Sequence, residues 1–102
     1  MNKTKRIGFH NKLVDSCGRA YYQPTQNTKL EYPCIVYEEI PETVLYANDK
    51  RFETFPHVQI TVIDRDPDSE ITDKLVERFP EARMVNKTVV DNLYHTIYEL
   101  YI

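Results

Sequence analysis

Asp64, Asp66 and Asp68 alternate through the turn Asp64-Arg65-Asp66-Pro67-Asp68. Carboxylates at that spacing open the calcium loop of an EF-hand, and with a divalent metal the same set could serve a nuclease. The rest of the loop is missing. Its sixth position is Ser69 instead of glycine, its twelfth is Leu75 instead of glutamate, and Pro67 stiffens its fourth. A simpler reading sets Asp66 and Asp68 just ahead of a helix, where carboxylates cap free amides and face the positive end of the helix dipole. Arg65, between them, then offsets their repulsion or reaches across a subunit boundary.

The other groups able to do chemistry are scattered. His10, His57, His95, Cys17 and Cys34 contain no pair at a metal-ligand spacing such as C-x₂-C or H-x₃-H. His57 and His95 fall on expected strands, where they could be neighbours. The sequence contains no nucleophile elbow and no phosphate-cradling glycine loop; only two glycines are present. A non-enzymatic chain without a cofactor or resident metal is expected. With two cysteines a disulfide framework is not, and both read as small buried hydrophobes in a reducing cytoplasm.

Composition bounds the rest. The chain has 102 residues, 41% hydrophobic, with eight tyrosines and no tryptophan. That suits one small domain covering residues 1–102, whose limited core leaves room for stabilisation by partners. Tyrosine suits strand flanks and subunit contacts. The net charge of −3 divides unevenly, with +4 over residues 1–34 and −7 beyond. The whole is not a nucleic-acid binder by charge. No apolar run approaches a membrane span, and the N-terminus has no signal-peptide core.

The elements that position these groups follow from periodicity. Residues 5–17 read as a helix with Ile7, His10, Leu13, Val14 and Cys17 on one stripe, ended by Gly18. Residues 19–23 form a short strand closed by Pro24, and the polar residues 25–29 an exposed loop. A strand over 34–39 follows Tyr32-Pro33. Pro41 then breaks the chain before another strand at 44–47. Asn48 and Asp49 make a hairpin turn, and a return strand over 51–55 is interrupted by Pro56. Residues 57–64 place Val58, Ile60 and Val62 on one face by strict alternation. Residues 69–79 give a helix with Ile71, Leu75, Val76 and Phe79 on its apolar stripe, stopped by Pro80. A short strand at 83–85 and a last one at 93–102 complete the order α-β-β-β-β-α-β-β. The last strand carries Tyr94, Thr96, Tyr98, Leu100 and Ile102 on one face. The class is α+β, an antiparallel or mixed sheet with two helices. Its expected core is Leu13, Ile35, Val58, Ile60, Val62, Leu75, Phe79, Ile97 and Leu100.

Three segments carry a resemblance: Tyr32-Pro33-Cys34-Ile35-Val36-Tyr37, Thr61-Val62-Ile63-Asp64-Arg65-Asp66-Pro67-Asp68-Ser69, and Asp91-Asn92-Leu93-Tyr94-His95. In this order, with Tyr21-Tyr22-Gln23-Pro24 before them and Ala47-Asn48-Asp49 between the first two, the chain resembles the tail terminator proteins of long-tailed bacteriophages. These are also known as tail completion or head–tail joining proteins. The resemblance spans roughly residues 20–102, and residues 80–90 carry no such pattern. It implies a ring, usually a hexamer, seated on the last ring of the tail tube. Such a ring ends tube polymerisation and presents a face to the head connector, while DNA passes through its lumen. The partners implied are copies of the chain itself, the major tail tube protein and a connector or stopper protein. The place implied is the neck of the virion, after assembly in the host cytoplasm. A head-completion or stopper protein is the alternative within virion structure, and a small metal-dependent nuclease the alternative outside it. The residues expected at subunit or tube contacts are Asn48, Asp49, Lys50 and Arg51 with the rest of that hairpin, the loop 25–29, and Arg65 with Asp64 and Asp66.

Overall fold

The computed structural model describes residues 3–47 and 50–101, and for 41–47 and 50–56 the backbone alone. The class is α+β, with two helices on one face of a five-stranded mixed sheet. In chain order the elements are α1 (Lys3–Cys17), β1 (Ala20–Tyr22), β2 (Cys34–Ala47), β3 (Lys50–Asp64), α2 (Glu70–Arg78), β4 (Arg83–Val90) and β5 (Leu93–Tyr101). The spatial order of strands is β1-β2-β3-β5-β4, with β1 parallel to β2 and every other pair antiparallel.

The alternation of the central strands fixes the buried face. Ile35 and Tyr37 of β2 lie opposite Val62 and Ile60 of β3, which lie opposite Thr96 and Tyr98 of β5. All six are buried, as are Val58 and Leu100, the next pair along. The helices close this face. α2 contributes Ile71 and Leu75, with Phe79 at its C-cap, and α1 contributes Phe9, Leu13 and Ser16. Aromatic rings join the layers: Phe9 meets Tyr37 edge-on at 5.6 Å and Phe79 at 5.2 Å. Gly18, at φ 88°, ends α1 in the left-handed conformation, and its amide donates to the Val14 carbonyl at 2.6 Å.

Several expectations are corrected. The buried stripe of α1 runs through Phe9, Leu13 and Ser16, and Ile7, assigned to the stripe, is 44% exposed. Leu13 lies on both stripes, and His10, Val14 and Cys17 are half-buried, Cys17 packed against the core, so the helix is rotated toward Phe9 and Ser16 and only Ile7 is turned out. Val76, assigned to the stripe of α2, is also exposed, and Ile97, expected in the core, is only half-buried. Ile97 sits one residue out of phase with Thr96 and Tyr98, so it lies on the sheet face away from the helices.

Neither Pro41 nor Pro56 ends a strand. Ile40 pairs with His57 and Thr43 with Phe55, so Pro41 and Glu42 together oppose Pro56. Both prolines fall within one bulge, where the ladder asks for no amide donor. Residues 34–47 therefore form one strand, and three strands instead of four precede α2. β4 is longer than the expected 83–85, and a two-residue turn joins it to β5. Asp91 and Asn92 both adopt positive φ (52° and 65°), the conformation of a type I′ hairpin. The turn expected at Asn48 and Asp49 lies outside the described residues, as do Met1, Asn2 and Ile102.

Beyond the Ile40–His57 pair, β2 and β3 continue with neither β1 nor β5 beside them among the described residues. This two-stranded arm extends about 20 Å past the body at a strand's rise per residue. It accounts for the elongated extents of 50 × 24 × 24 Å. No helix among the described residues is long and apolar enough to cross a membrane.

Candidate functional site

The three separated sequence segments meet at one end of the sheet, opposite the arm. Cys34 pairs with Ile63, Ile63 with His95, and His95 with Thr88, forming one row across four strands. Asp64 pairs with Tyr94 in the next row. The segment entering β2, the one leaving β3 and the turn between β4 and β5 thus form a single surface.

The turn after β3 is built from its own side chains. Asp64 Oδ1 accepts from the Asp66 amide at 3.1 Å, and Asp66 Oδ1 accepts from the Asp68 amide at 2.9 Å. Ser69 Oγ donates to Asp64 Oδ2 at 2.7 Å and accepts from the Ile71 amide at 3.2 Å. Thr72 Oγ1 closes the turn on the Ser69 carbonyl at 2.7 Å. Ser69, 8% exposed, is therefore the N-cap of α2. This corrects the assignment of capping to Asp66 and Asp68. A hydroxyl can satisfy a carboxylate and a helix amide at once, so Ser69 ties the strand end to the helix start, and the aspartates order the loop between them. Part of the signal was present in the sequence, since serine is among the favoured N-cap residues and Ser69 stands two residues before Ile71, the first of the apolar stripe; Asp66 and Asp68 rank equally by type, so residue type alone did not choose between them.

Arg65 is exposed, and its guanidinium lies over the ring of Tyr32, 5.8 Å from the centroid. That contact joins the first segment to the second. No pattern in the sequence marks a pair so far apart. The adjoining crossover from β1 to β2 is fixed by Arg19, whose Nη1 donates to the Pro33 carbonyl at 3.1 Å and whose Nε lies 3.5 Å from Glu31. The Glu31 amide donates to Tyr21 Oη at 3.3 Å. The exposed loop 25–29 belongs to this crossover.

Cys34 and Ile63 point away from the helices by alternation and are still buried, at 0% and 5%. Burial pushes the Cys34 thiol up to about 11, and the nearby Cys17 adds to the shift. Burial also raises Cys17. Both are free. Thiols held protonated in this way are poor nucleophiles and metal ligands.

The histidines are dispersed. His10 Nδ1 lies 2.7 Å from Tyr37 Oη beneath α1. His95 Nδ1 lies 3.2 Å from the Leu93 carbonyl at the motif end. His57 is at the other end of the β3–β5 ladder, paired with Tyr101, so the two strand histidines are not neighbours. The His57 ring stacks on Tyr101 at 4.2 Å, and its Nε2, 3.6 Å from Glu99, has no hydrogen-bond partner. Arg83 reaches the same Glu99 carboxylate at 3.2 Å. Among the described residues, no three His, Cys, Asp or Glu side chains group to hold a metal ion.

Of the residues expected at contacts, Asp64, Asp66 and Arg65 lie together on the motif surface. Lys50 and Arg51 open β3 at the far end of the arm, opposite Ala47 and Tyr46. Asn48 and Asp49 lie outside the described residues. The expected contact residues therefore fall at the two opposite poles of the long axis. No family model and no curated protein sequence matches the chain.

Proposed function

We propose that this chain is a structural virion protein that caps a phage tail tube as a ring, ends tube growth and joins the tail to the head connector. The observation that carries the reading is the meeting of the three resemblance segments on one surface. Segments about thirty residues apart have come together at the sheet end that holds Arg65, Tyr32 and the turn around Asp91. That supports treating them as one working unit instead of three unrelated strand motifs.

The shape supports the same reading. A ring subunit between tube and connector needs two dissimilar contact ends. This molecule has a compact pole bearing the motif surface and a two-stranded arm at the other end. The oxygens of Asp64 and Asp66 accept from the Asp66 and Asp68 amides and the Ser69 hydroxyl, so in this proposal these carboxylates order the turn. The acidic excess beyond residue 34 suits a lumen through which DNA slides without adhering.

Cosedimentation tests the proposal. The purified chain should pellet with isolated cognate tail tubes and not with DNA-filled heads lacking tails. Pelleting with heads alone would replace the terminator reading by the stopper reading. Pelleting with neither would overturn both.

A further inference from the structure

Seven large hydrophobic side chains are exposed among the described residues, and five of them lie on one side of the molecule. Met84, Val85, Val89 and Val90 belong to β4, the outer strand on that side. The fifth is Val76 of α2. Lys74 and Arg78 line a cleft with Asp15 and Ser16 of α1, which leaves Thr72 and Val76, one turn apart, on the side of α2 toward β4. Met84 and Val89 pair with Tyr98 and Tyr94, which alternate onto the helix face of the sheet. The helices stop short of β4, all eight of whose residues are exposed. Val76, Met84 and Val89 therefore border an apolar shelf that no element covers among the described residues.

The opposite side is formed by α1 and β1. The Arg6 guanidinium lies over the Tyr22 ring at 4.5 Å, so this side of α1 faces the β1 edge. Ile7 and Val14, one heptad apart, stand beside it, Ile7 44% exposed and Val14 half-buried. The β1 edge is open, with no strand beyond it among the described residues. The Arg19 carbonyl and the Gln23 amide, which flank β1, bond to Ile35 and Tyr37 of β2. By alternation Ala20 and Tyr22 turn their backbone groups outward. An edge of this kind is a template for another strand.

We infer that copies of this chain join head to tail, with the α1–β1 side of one seated on the α2–β4 side of the next. The inference rests on the ring reading above, for which it names the contact between subunits. Strand sense and level select the occupant. β1 runs with β2 and β5, and β4 runs against them. Rotation about a ring axis along the strands preserves sense, so β1 of one copy meets β4 of the next antiparallel. It preserves level as well. Tyr22 shares a row with Tyr37, Ile60, Tyr98 and Met84, and Ala20 shares one with Ile35, Val62, Thr96 and Lys87. A neighbour at the same height thus sets Tyr22 opposite Met84. The Ile7 turn of α1 comes with it, because Phe9 meets Tyr37 in the same row. Val76 and Met84 then pack against Ile7 and Val14. The two surfaces differ, so the contact is heterologous and its repetition about an axis closes a ring. A two-fold pairing of β4 with β4 is the competing arrangement, and it leaves Ile7 and the β1 edge bare.

Sedimentation velocity from micromolar to millimolar concentration, without tail tubes, reads the association. The wild-type chain should associate as concentration rises. I7D, and separately V76D/M84D, should associate at least about tenfold more weakly. All three positions are exposed in the single chain, so the circular dichroism spectra should be unchanged. Disulfide trapping reads the geometry. I7C and M84C chains, one of them isotopically heavy, are mixed and mildly oxidised. Peptide mass mapping should find bonds between positions 7 and 84, each joining a light chain to a heavy one, in excess of 7–7 and 84–84 bonds. A wild-type chain that is monomeric throughout, variants that associate as it does, or an excess of 7–7 or 84–84 bonds overturns the inference. The capping proposal is read separately by cosedimentation with tubes, so the failure of one is distinguishable from the failure of the other.

Discussion

Replacing Ser69 by alanine tests the account of the corner between β3 and α2. The hydroxyl accepts from the Ile71 amide at 3.2 Å and donates to Asp64 at 2.7 Å. Loss of an N-cap costs about 1 kcal/mol. A hydrogen bond to a carboxylate is worth more than a neutral one, but Asp64 is half-exposed and water replaces part of it, so about another 1 kcal/mol follows. Ser69→Ala should therefore destabilise by about 2 kcal/mol, a fall in Tm of about 8–16 °C for a domain this size. The fold should survive, because small domains are stable by about 5–15 kcal/mol. Urea denaturation of Ser69→Ala, Asp64→Asn and the double variant gives the coupling between the two residues, expected at about 1 kcal/mol. Millimolar calcium should leave every midpoint unchanged, since Asp64 and Asp66 are engaged within the turn and no three carboxylates group to hold an ion among the described residues. A loss below about 0.5 kcal/mol, a coupling near zero, or a calcium-dependent rise in Tm would each refute the reasoning.

Leu75→Ala empties a fully buried position under α2 and should cost about 2–5 kcal/mol, measured by the same denaturation. Tyr37→Phe removes the hydroxyl beside His10 and should cost about 1 kcal/mol, with the circular dichroism spectrum unchanged. Cys34 is fully buried and Cys17 only half-buried, so iodoacetamide at mildly alkaline pH should label Cys17 first and reach Cys34 only as the chain unfolds; mass mapping of the labelled peptides reads the order. The Cys34 thiol is raised from 9.0 to about 11 in the fold. The native state therefore favours its neutral form. That stabilisation, about 2–3 kcal/mol at most, is complete below pH 9 and is lost as pH rises through about 11. Burial raises Tyr37 and Tyr98 as well, so they act in the same direction. Cys34→Ala should flatten the alkaline part of the stability curve, and an unchanged slope would count against the assignment.

What the sequence disclosed depended on whether one face of an element was buried. β5 and the half of β3 from His57 alternate strictly and could be read as strands, because one face lies under the helices. β4 has no buried face, so no alternation marks it, and only its first residues were recognised. The prolines misled for a different reason. Pro41 and Pro56 are separated by the whole arm, and only the strand register shows that they share one bulge. In α1, His10, Leu13, Val14 and Cys17 were legible as the inward side, but the phase is set by Phe9 meeting Tyr37 and Phe79, partners far along the chain. At the motif surface the aspartate spacing was visible, but its use was not. Ser69 caps the helix, and Arg65 turns to Tyr32, a contact made by tertiary packing alone.

Cognate major tail tube protein should be polymerised with and without this chain, and the products imaged by electron microscopy. A ring of density should stand at one end of each tube and growth from that end should stop, so that lengths no longer increase once the chain is added. Tubes with bare ends and lengths independent of the chain would contradict the capping proposal.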